Sequence, residues 1–302
     1  AQLGPGKEAC MKTCLVGFTP DHGGQEALAL ARTLSAGADC AIVVCVVTPE
    51  VWGYPSLARV DQEYGAFLDQ YAQETLDQAR AALGDHPNVR YERVVAGSAT
   101  EGLTRAAERE GADFIVVGSA RDSAVGRLLT GGVTDEILHV APVPVAIAPR
   151  GFACTTPLAR VSVGFSGGAA ARGTVLRALG LAGRFKVPLR VLSFAVRDRQ
   201  MFPSLGSHDA EAVVVQGWLE QARNALQSVH GDIAVTGYAV ETDVGVGPTW
   251  EDALAGLAWQ DGEVLMLGSS RLGPLQRVFL GSNAAKIMRA SRVPVIVLPR
   301  QS

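Results

Sequence analysis

The sequence predicts an α/β protein made of two tandem, doubly wound domains, each built around a five-stranded parallel sheet. Three observations lead to this fold class. The chain has 302 residues, which is about twice the ~150 residues of a common domain. Short β-branched runs alternate along it with amphipathic stretches, as they do in repeated βαβ units. Its two halves also match each other in sequence, which indicates a duplicated architecture.

The internal repeat defines the expected domain boundaries. The matched segments are residues 15–24 (LVGFTPDHGG) with 162–171 (SVGFSGGAAA), 114–121 (FIVVGSAR) with 264–271 (VLMLGSSR), and 141–150 (APVPVAIAPR) with 291–300 (SRVPVIVLPR). We therefore expect one domain at residues 12–150 and a second at 158–302, joined by a linker at 151–157. A linker this short requires the domains to pack closely. Residues 1–11 are expected to be a disordered leader or an expression remnant.

The strands of the first half are predicted from short apolar runs rich in β-branched residues. These runs are Thr13–Phe18, Ala41–Val47, Val89–Ala96, Asp113–Gly118 and Val143–Ala148. Helices are predicted between them because apolar residues recur there at helical spacing. The residues at this spacing are Ala27, Leu28, Ala31 and Leu34 after the first strand, and Phe67, Leu68, Tyr71, Leu76, Ala79 and Leu83 after the second.

The second half repeats this order of elements. Its predicted strands are Arg160–Phe165, Leu189–Val196, Asp232–Val240, Glu263–Gly268 and Val293–Leu298. A helix is predicted to begin at Trp250. Because tryptophan is largely buried on average, Trp250 is expected to pack in the core, with a pocket-lining role as the alternative.

The fifth strands are the predicted contact between the two domains. Each is an apolar run that would otherwise leave a sheet edge unpaired. Pro144 and Pro294 limit the pairing at the strand starts, since proline has no N–H to donate. This intramolecular pairing is the main expected interaction. A homodimer and an unidentified protein partner remain open.

Composition excludes several classes of partner. The formal net charge is −3 and the isoelectric point is near 6.0, so no basic field exists to attract nucleic acid. The sequence contains no apolar run long enough to cross a membrane and no secretory signal pattern. We therefore expect a cytoplasmic protein that does not insert into membranes.

The residue types that carry catalysis are scattered. The five cysteines and five histidines show no CxxC or Cys/His ligand spacing, so no metal site is predicted. Cys14, Cys40 and Cys45 lie in or beside apolar strand runs, where reduced cysteine acts as a small core residue. No serine lies in a strand-turn-helix context with a downstream Asp and His. No catalytic residue is therefore assigned, and enzymatic activity stays an open question.

Glycine-rich loops point to a ligand site. In an open parallel sheet, ligands bind beyond the carboxyl ends of the strands, where the strand order reverses. Gly118 and Gly268 end the fourth strands, and helices are predicted to begin near Gly131 and Gly281. The start of a helix presents free backbone N–H groups that suit a phosphate. The alternative is that these glycines only permit tight turns between strand and helix.

At these loops the sequence resembles the universal stress protein family, whose fourth strand is followed by G-x2-G-x9-G-S/T for the phosphates and ribose of ATP. The resemblance covers residues 12–300 and includes both Val-Pro-Val segments, at 143–145 and 293–295, and the RLL segment at 127–129. It implies a tandem universal stress protein with Rossmann-like domains, acting in the stress response.

The resemblance also implies residues for an ATP site in each half. In repeat two they are Ser166, Gly268, Ser269, Arg271, Gly281, Ser282 and Asn283. In repeat one they are Thr19, Gly118, Ser119, Arg121, Gly131 and Gly132. Repeat two is expected to be the better site, since Gly132 replaces the Ser or Thr that closes the family motif.

Two further positions depart from the family pattern in both halves. The second glycine of the motif is replaced by Arg121 and Arg271, and the aspartate that contacts adenine is replaced by Thr19 and Ser166. An arginine can fill the space for the phosphates, or it can clamp them through its guanidinium. Loss of the aspartate removes a charged acceptor, which is worth on the order of 1–3 kcal/mol.

Three hypotheses about function follow. The first is a stress-response module whose adenine-nucleotide site lies in repeat two. The second is an interaction or scaffold module that binds no nucleotide. The third is a slow ATPase, which ranks last because no general base for water is evident.

Overall fold

A computed structural model describes residues 13–36, 40–50, 60–86, 88–119, 128, 132–153, 156–196, 208–269 and 281–299. The strands are β1 Thr13–Gly17, β2 Ala41–Thr48, β3 Val89–Val95, β4 Phe114–Gly118, β5 Val145–Ala148, β6 Arg160–Gly164, β7 Leu189–Val196, β8 Val240–Gly247, β9 Glu263–Gly268 and β10 Val295–Leu298. The helices are α1 His22–Ser35, α2 Val60–Leu83, α3 Ala99–Glu110, α4 Gly132–Val140, α5 Gly168–Phe185, α6 His208–Ala234, α7 Trp250–Ala255 and α8 Ser282–Ala290. The leader, Arg121, Gly131 and Arg271 lie outside the described residues.

The strands form one continuous ten-stranded sheet in the order β3-β2-β1-β4-β5-β10-β9-β6-β7-β8. Neighbouring strands within each half are parallel. The two halves meet where β5 pairs antiparallel with β10, with Val295 opposite Ile147 and Val297 opposite Val145. This confirms the predicted α/β class and the predicted pairing of the fifth strands. Both strands begin one residue after their proline, later than the sequence suggested.

Helices cover both faces of the sheet, which makes each half doubly wound. One apolar layer packs α1, α2, α5 and α6 against the sheet. The other packs α3, α4, α7 and α8 against the opposite face. Cys14, Cys40 and Cys45 are buried, as predicted for reduced core cysteines. Among the helices that the structure describes, none is long and apolar enough to span a membrane.

The predicted strand at Asp232–Val240 is wrong. Helix α6 continues to Ala234, and the strand β8 begins only at Val240. The helix continues because Leu226, Val229 and Ile233 recur on one face and are all buried in the apolar layer. Gly237, with φ of 72°, then allows the turn that leads to the strand. A short apolar run is compatible with either element, and here tertiary packing decided.

Helix α2 forms as predicted, but two of its apolar residues lie off the buried face. Leu68, Leu76 and Leu83 are buried. Phe67 and Tyr71 are 61% and 38% exposed and stack on each other, with ring centroids 6.5 Å apart. Helical spacing therefore identified the helix but not which of its apolar residues are buried.

The chain between the halves is tied back to α1. The Gly151 N–H donates to Glu26 Oε1 at 2.7 Å, and the Leu158 N–H donates to the Thr33 carbonyl at 3.3 Å. These contacts hold both ends of the connection against repeat one. They complement the strand pairing between the halves.

Candidate functional site

A cleft of about 910 Å³ opens at the carboxyl ends of the strands in the second half. It is lined by residues at the ends of β6, β7 and β9 and by residues of all four helices of that half. Strand β6 pairs with β9 on one side and with β7 on the other. The strand order therefore reverses beside β6, and the cleft lies where doubly wound sheets bind their ligands.

Two helices begin at this cleft. Gly167 is the N-cap of α5 and Gly281 is the N-cap of α8, and neither helix start has a side-chain hydrogen bond as a cap. Both glycines line the cleft. The first N–H groups of a helix lack partners within the helix, and the dipole makes this end positive. The cleft thus presents two positively polarised helix ends, an arrangement that suits an anion.

Glycine is required by the local geometry at Gly167 and Gly268. Gly167 has φ of 85°, a conformation that residues with a side chain rarely adopt. A Cβ added at Gly268 would lie 2.3 Å from the Thr174 hydroxyl oxygen. Thr174 belongs to α5 and itself lines the cleft. The backbone at the end of β9 is therefore exposed to the cleft beside a hydroxyl.

Aromatic rings form two walls of the cleft. Trp218 on α6 lies on the side of the first apolar layer, whereas Phe194 and Trp250 pack with the second. The rings of Phe194 and Trp250 are 5.7 Å apart and inclined by 54°. The buried Trp250 Nε1 has no hydrogen-bond partner. Trp259, which lies away from the cleft, donates its Nε1–H to the Leu254 carbonyl at 2.7 Å.

The polar lining of the cleft is neutral. It consists of hydroxyl and amide side chains, namely Ser166, Thr174, Ser193, Gln221, Ser269, Ser282 and Asn283. Within the described ranges, no lining residue carries a charged side chain. Any electrostatic attraction that these residues exert on an anion therefore comes from backbone N–H groups, helix dipoles and the hydroxyl and amide groups of the side chains, without a formal charge.

The corresponding strand end of repeat one is covered by the start of α1. A Cβ added at Gly118 would lie 2.0 Å from the carbonyl oxygen of Gly23, so the first turn of α1 sits directly on the end of β4. Helix α1 also has a side-chain cap, because Asp21 Oδ1 accepts from the Gly24 N–H at 3.1 Å. The Thr19 hydroxyl donates to the same carboxylate oxygen at 2.8 Å. The start of α1 therefore has a side-chain cap, whereas the start of α5, its counterpart in repeat two, has none.

The sequence-predicted residues fall into two groups. In repeat two, the cleft brings together Ser166, Gly268, Ser269, Gly281, Ser282 and Asn283. In repeat one, Thr19 supports the cap of α1, Ser119 is buried and Gly132 begins α4. Trp250 both packs against the core layer and lines the cleft, so the two roles considered for it coexist.

The lining residues that sequence reasoning missed include Thr174, Ser193, Phe194 and Trp218. Phe194 and Ser193 lie in β7, whose apolar run predicts a core strand and gives no sign of a ligand site. A usable signal existed for Trp218, which directly precedes the buried Leu219 and is 36% exposed. A large aromatic residue beside a buried helical position is a reasonable candidate for a pocket wall.

No metal centre is evident in the part of the chain that the structure describes. There, no group of three or more His, Cys, Asp or Glu side chains is arranged to hold a metal ion. The buried Arg190 and Glu263 form an ion pair at 2.7 Å. They lie at the amino ends of β7 and β9, opposite the cleft. This pair therefore belongs to the core.

Sequence comparison identifies relatives over nearly the whole chain. The universal stress proteins of Mycobacterium tuberculosis and Mycobacterium bovis are each 39% identical over 292 residues, covering 95% of this chain and 99% of each relative. The sequence model of the universal stress protein family matches twice, at residues 11–149 and 158–299.

Solved structures agree in fold. A universal stress protein from Archaeoglobus fulgidus aligns with a TM-score of 0.64 and 18% identity, covering 96% of this chain and 99% of that one. A putative universal stress protein from Pseudomonas aeruginosa aligns with a TM-score of 0.54 and 18% identity, covering 96% and 94%. The family model matches twice in tandem, and the mycobacterial relatives align at 39% identity over nearly their full length. These findings establish that this chain belongs to the universal stress protein family.

Proposed function

We propose that this tandem universal stress protein is a cytoplasmic stress-response module that binds one adenine nucleotide, ATP, in repeat two. The observation that carries the proposal is the pair of uncapped helix starts, Gly167 and Gly281, which open on one cleft. Aromatic walls in the same cleft supply a surface for the base. Positively polarised helix starts and aromatic walls in one cleft match the phosphates and the base of a nucleotide.

The phosphates are assigned to the α8 end of the cleft. Their donors are the backbone N–H groups of Ser269, Ser282 and Asn283 and the hydroxyl of Ser282. Gly268 supports this assignment because it lets the end of β9 approach the ligand without a side chain. Ser166 is assigned to the base. Arg271, which lies outside the described residues, is proposed either to bind the phosphates or to occupy their space.

Repeat one is proposed to contribute no tight site. Its residues Thr19, Gly118, Ser119, Arg121, Gly131 and Gly132 are assigned to a weaker, degenerate pocket. The contact of Gly23 on Gly118 and the carboxylate cap of α1 support this asymmetry. The domain limits are proposed as 12–150 and 158–302. A homodimer or a separate protein partner would then respond to the state of repeat two.

Calorimetry with ATP tests the proposal. We expect one binding site per chain, and Ser282→Ala should weaken it by about 1 kcal/mol, the net value of one hydrogen bond. Gly132→Ala is the matched control, since Gly132 begins the equivalent helix of repeat one and a Cβ there meets nothing within 4 Å. If neither ATP nor ADP binds at millimolar concentration, the chain is an interaction module without a nucleotide.

Arg271→Gly distinguishes an arginine that binds the phosphates from one that occupies their space. If the guanidinium clamps the phosphates, its removal should weaken ATP binding. If the side chain fills their space, removal should strengthen it. Phosphate release in the same samples, compared with a denatured control, tests the slow-ATPase alternative.

A further inference from the structure

We propose that the cleft of repeat two holds the base of its nucleotide by stacking and through rotatable hydroxyls, and therefore accepts amino-purines and keto-purines with similar affinities. This inference rests on the proposed function, because it concerns the ligand of the same cleft. It adds the range of bases that the cleft accepts.

The aromatic walls of the cleft can hold a base without contacting its edge. Trp218 stands on one side of the cleft, and the inclined pair Phe194 and Trp250 stands on the other. Trp218 is 36% exposed, so part of its ring is available for contact. Stacking on an aromatic face tolerates any base, because every base has a π-face. These walls therefore attract purines without distinguishing among them.

Two serine hydroxyl groups of the cleft can pair with either kind of purine. Ser166 follows the end of β6 and Ser193 lies near the end of the neighbouring β7, and both line the cleft. A hydroxyl can donate or accept a hydrogen bond by rotating about its C–O bond. It can accept from the amino group of adenine, and it can equally donate to the keto oxygen of hypoxanthine or guanine. A carboxylate at either position would only accept, and would reject the keto oxygen.

The remaining described lining does not restore discrimination. It carries no charged side chain, and its apolar members, such as Ala170 and Ala222, offer no side-chain hydrogen bond to a base edge. The amide side chain of Gln221 has both a donor and an acceptor, so it can pair with an amino group or with a keto oxygen. A site that reads a base edge with fixed donors and acceptors discriminates strongly because a wrong partner leaves a buried polar group unpaired. A rotatable hydroxyl avoids that penalty.

Calorimetry with ATP, ITP and GTP on the intact protein provides the test. The three ligands share their ribose and phosphates and differ only in the base. The dissociation constants of the wild type should lie within about fivefold of one another. Ser166→Asp should shift the preference toward ATP over ITP by at least about tenfold, because its carboxylate accepts from the amino group and repels the keto oxygen. Ser166→Thr keeps the hydroxyl and should keep the broad range.

Fluorescence gives a second readout that does not depend on Ser166. Binding of each nucleotide should quench tryptophan emission, and Trp218→Phe should remove part of that quenching for all three bases alike. Trp259→Phe is the matched control, since Trp259 lies away from the cleft and its indole N–H bonds to the backbone.

Two results would overturn the inference, and they are distinguishable. Wild-type dissociation constants that differ by more than about fivefold among ATP, ITP and GTP would mean that the base edge is read specifically. The proposed nucleotide site would then stand, and only the breadth of its ligand class would be lost. Absence of binding by all three nucleotides would remove the proposed function together with the inference.

Discussion

Gly118 and Gly268 occupy equivalent positions at the ends of β4 and β9, yet they face different neighbours. A Cβ at Gly268 would meet a side-chain hydroxyl, that of Thr174, at 2.3 Å. A Cβ at Gly118 would meet the backbone of Gly23 at 2.0 Å. A side chain can be shortened by mutation and a backbone cannot. This difference between the two halves is therefore open to a direct experiment.

Gly268→Ala should destabilise the protein by about 1–3 kcal/mol, the usual cost of overpacking. Adding Thr174→Ala should recover much of this loss, because the nearest remaining side-chain atom, Thr174 Cβ, lies 3.3 Å away. Urea unfolding of the two single variants and the double variant measures the effect. Gly118→Ala is the comparison and should be the more damaging glycine substitution. Equal losses in the single and double variants would contradict the assigned contact.

Glu26 is a buried carboxyl, 4% exposed, whose Oε1 accepts from the Gly151 N–H while its Oε2 has no partner. Burial raises its pKa, and the Gly151 N–H and the Arg150 guanidinium oppose that rise. The folded state therefore binds this proton more tightly than the unfolded state. The stability that comes from this group is present below its unfolded pKa and is lost as pH rises through the folded pKa.

Glu26→Gln removes this titration and should gain stability relative to the wild type as pH increases from about 4 to 7. Urea unfolding at several pH values measures the difference between the two proteins. Glu63→Gln, at an exposed carboxylate of α2, is the control and should follow the wild type throughout. A difference that stays constant across this interval would show that Glu26 does not titrate there.

At the scale of elements, the two edge strands of the sheet carry charged side chains, whereas the two central strands are apolar. Strand β3 carries Arg90 and Arg93, which pair with Glu110 and Asp69. Strand β8 exposes Glu241 and Asp243. Charged side chains on edge strands discourage pairing with another chain. The apolar strands β5 and β10, by contrast, lie at the centre of the continuous sheet, where each covers the other.

Val297→Lys should lower the free energy of unfolding by more than the ~3 kcal/mol of ordinary substitutions, because it places an unpaired charge in the core. Val297 is 1% exposed and lies between Val145 and Leu267 in the sheet. Val246→Lys is the matched control on the edge strand β8, where Val246 is 45% exposed. That variant should change stability by no more than about 0.5 kcal/mol. Similar losses in the two variants would contradict the central position of β10.

At the scale of the whole molecule, the two halves share one sheet and two apolar layers. The antiparallel pair of β5 and β10 makes a single sheet, and both apolar layers contain residues from both halves. The linker adds its own ties to α1 through Glu26 and Thr33. The covalent connection is therefore only one of several contacts that hold the halves together.

A protease site inserted at residues 154–155 should allow the chain to be cut without separating the halves. The fragments should elute together in size-exclusion chromatography under native conditions, because the strand pair and the shared apolar layers remain. They should separate in denaturant, which controls for complete cleavage. Fragments that separate without denaturant would show that the β5–β10 contact is too weak to hold the molecule together.

The sequence by itself determined the duplicated α/β architecture and most of its elements. The period of the apolar residues and the repeat of segments 141–150 and 291–300 are properties of the chain alone. It also located the glycine and serine positions of repeat two that line the cleft. It misread Asp232–Val240, because a short apolar run fits a strand and a helix equally well until it packs.

Only the tertiary structure decided which neighbours the equivalent glycines of the two halves contact. The first turn of α1 covers Gly118, whereas α5 leaves Gly268 facing an open cleft with Trp218 and Phe194 in its walls. Local patterns fix which way a side chain points along its own element. They do not fix the distance between elements that are far apart in sequence, and it is that distance which sets α1 against Gly118 and leaves Gly268 beside the cleft.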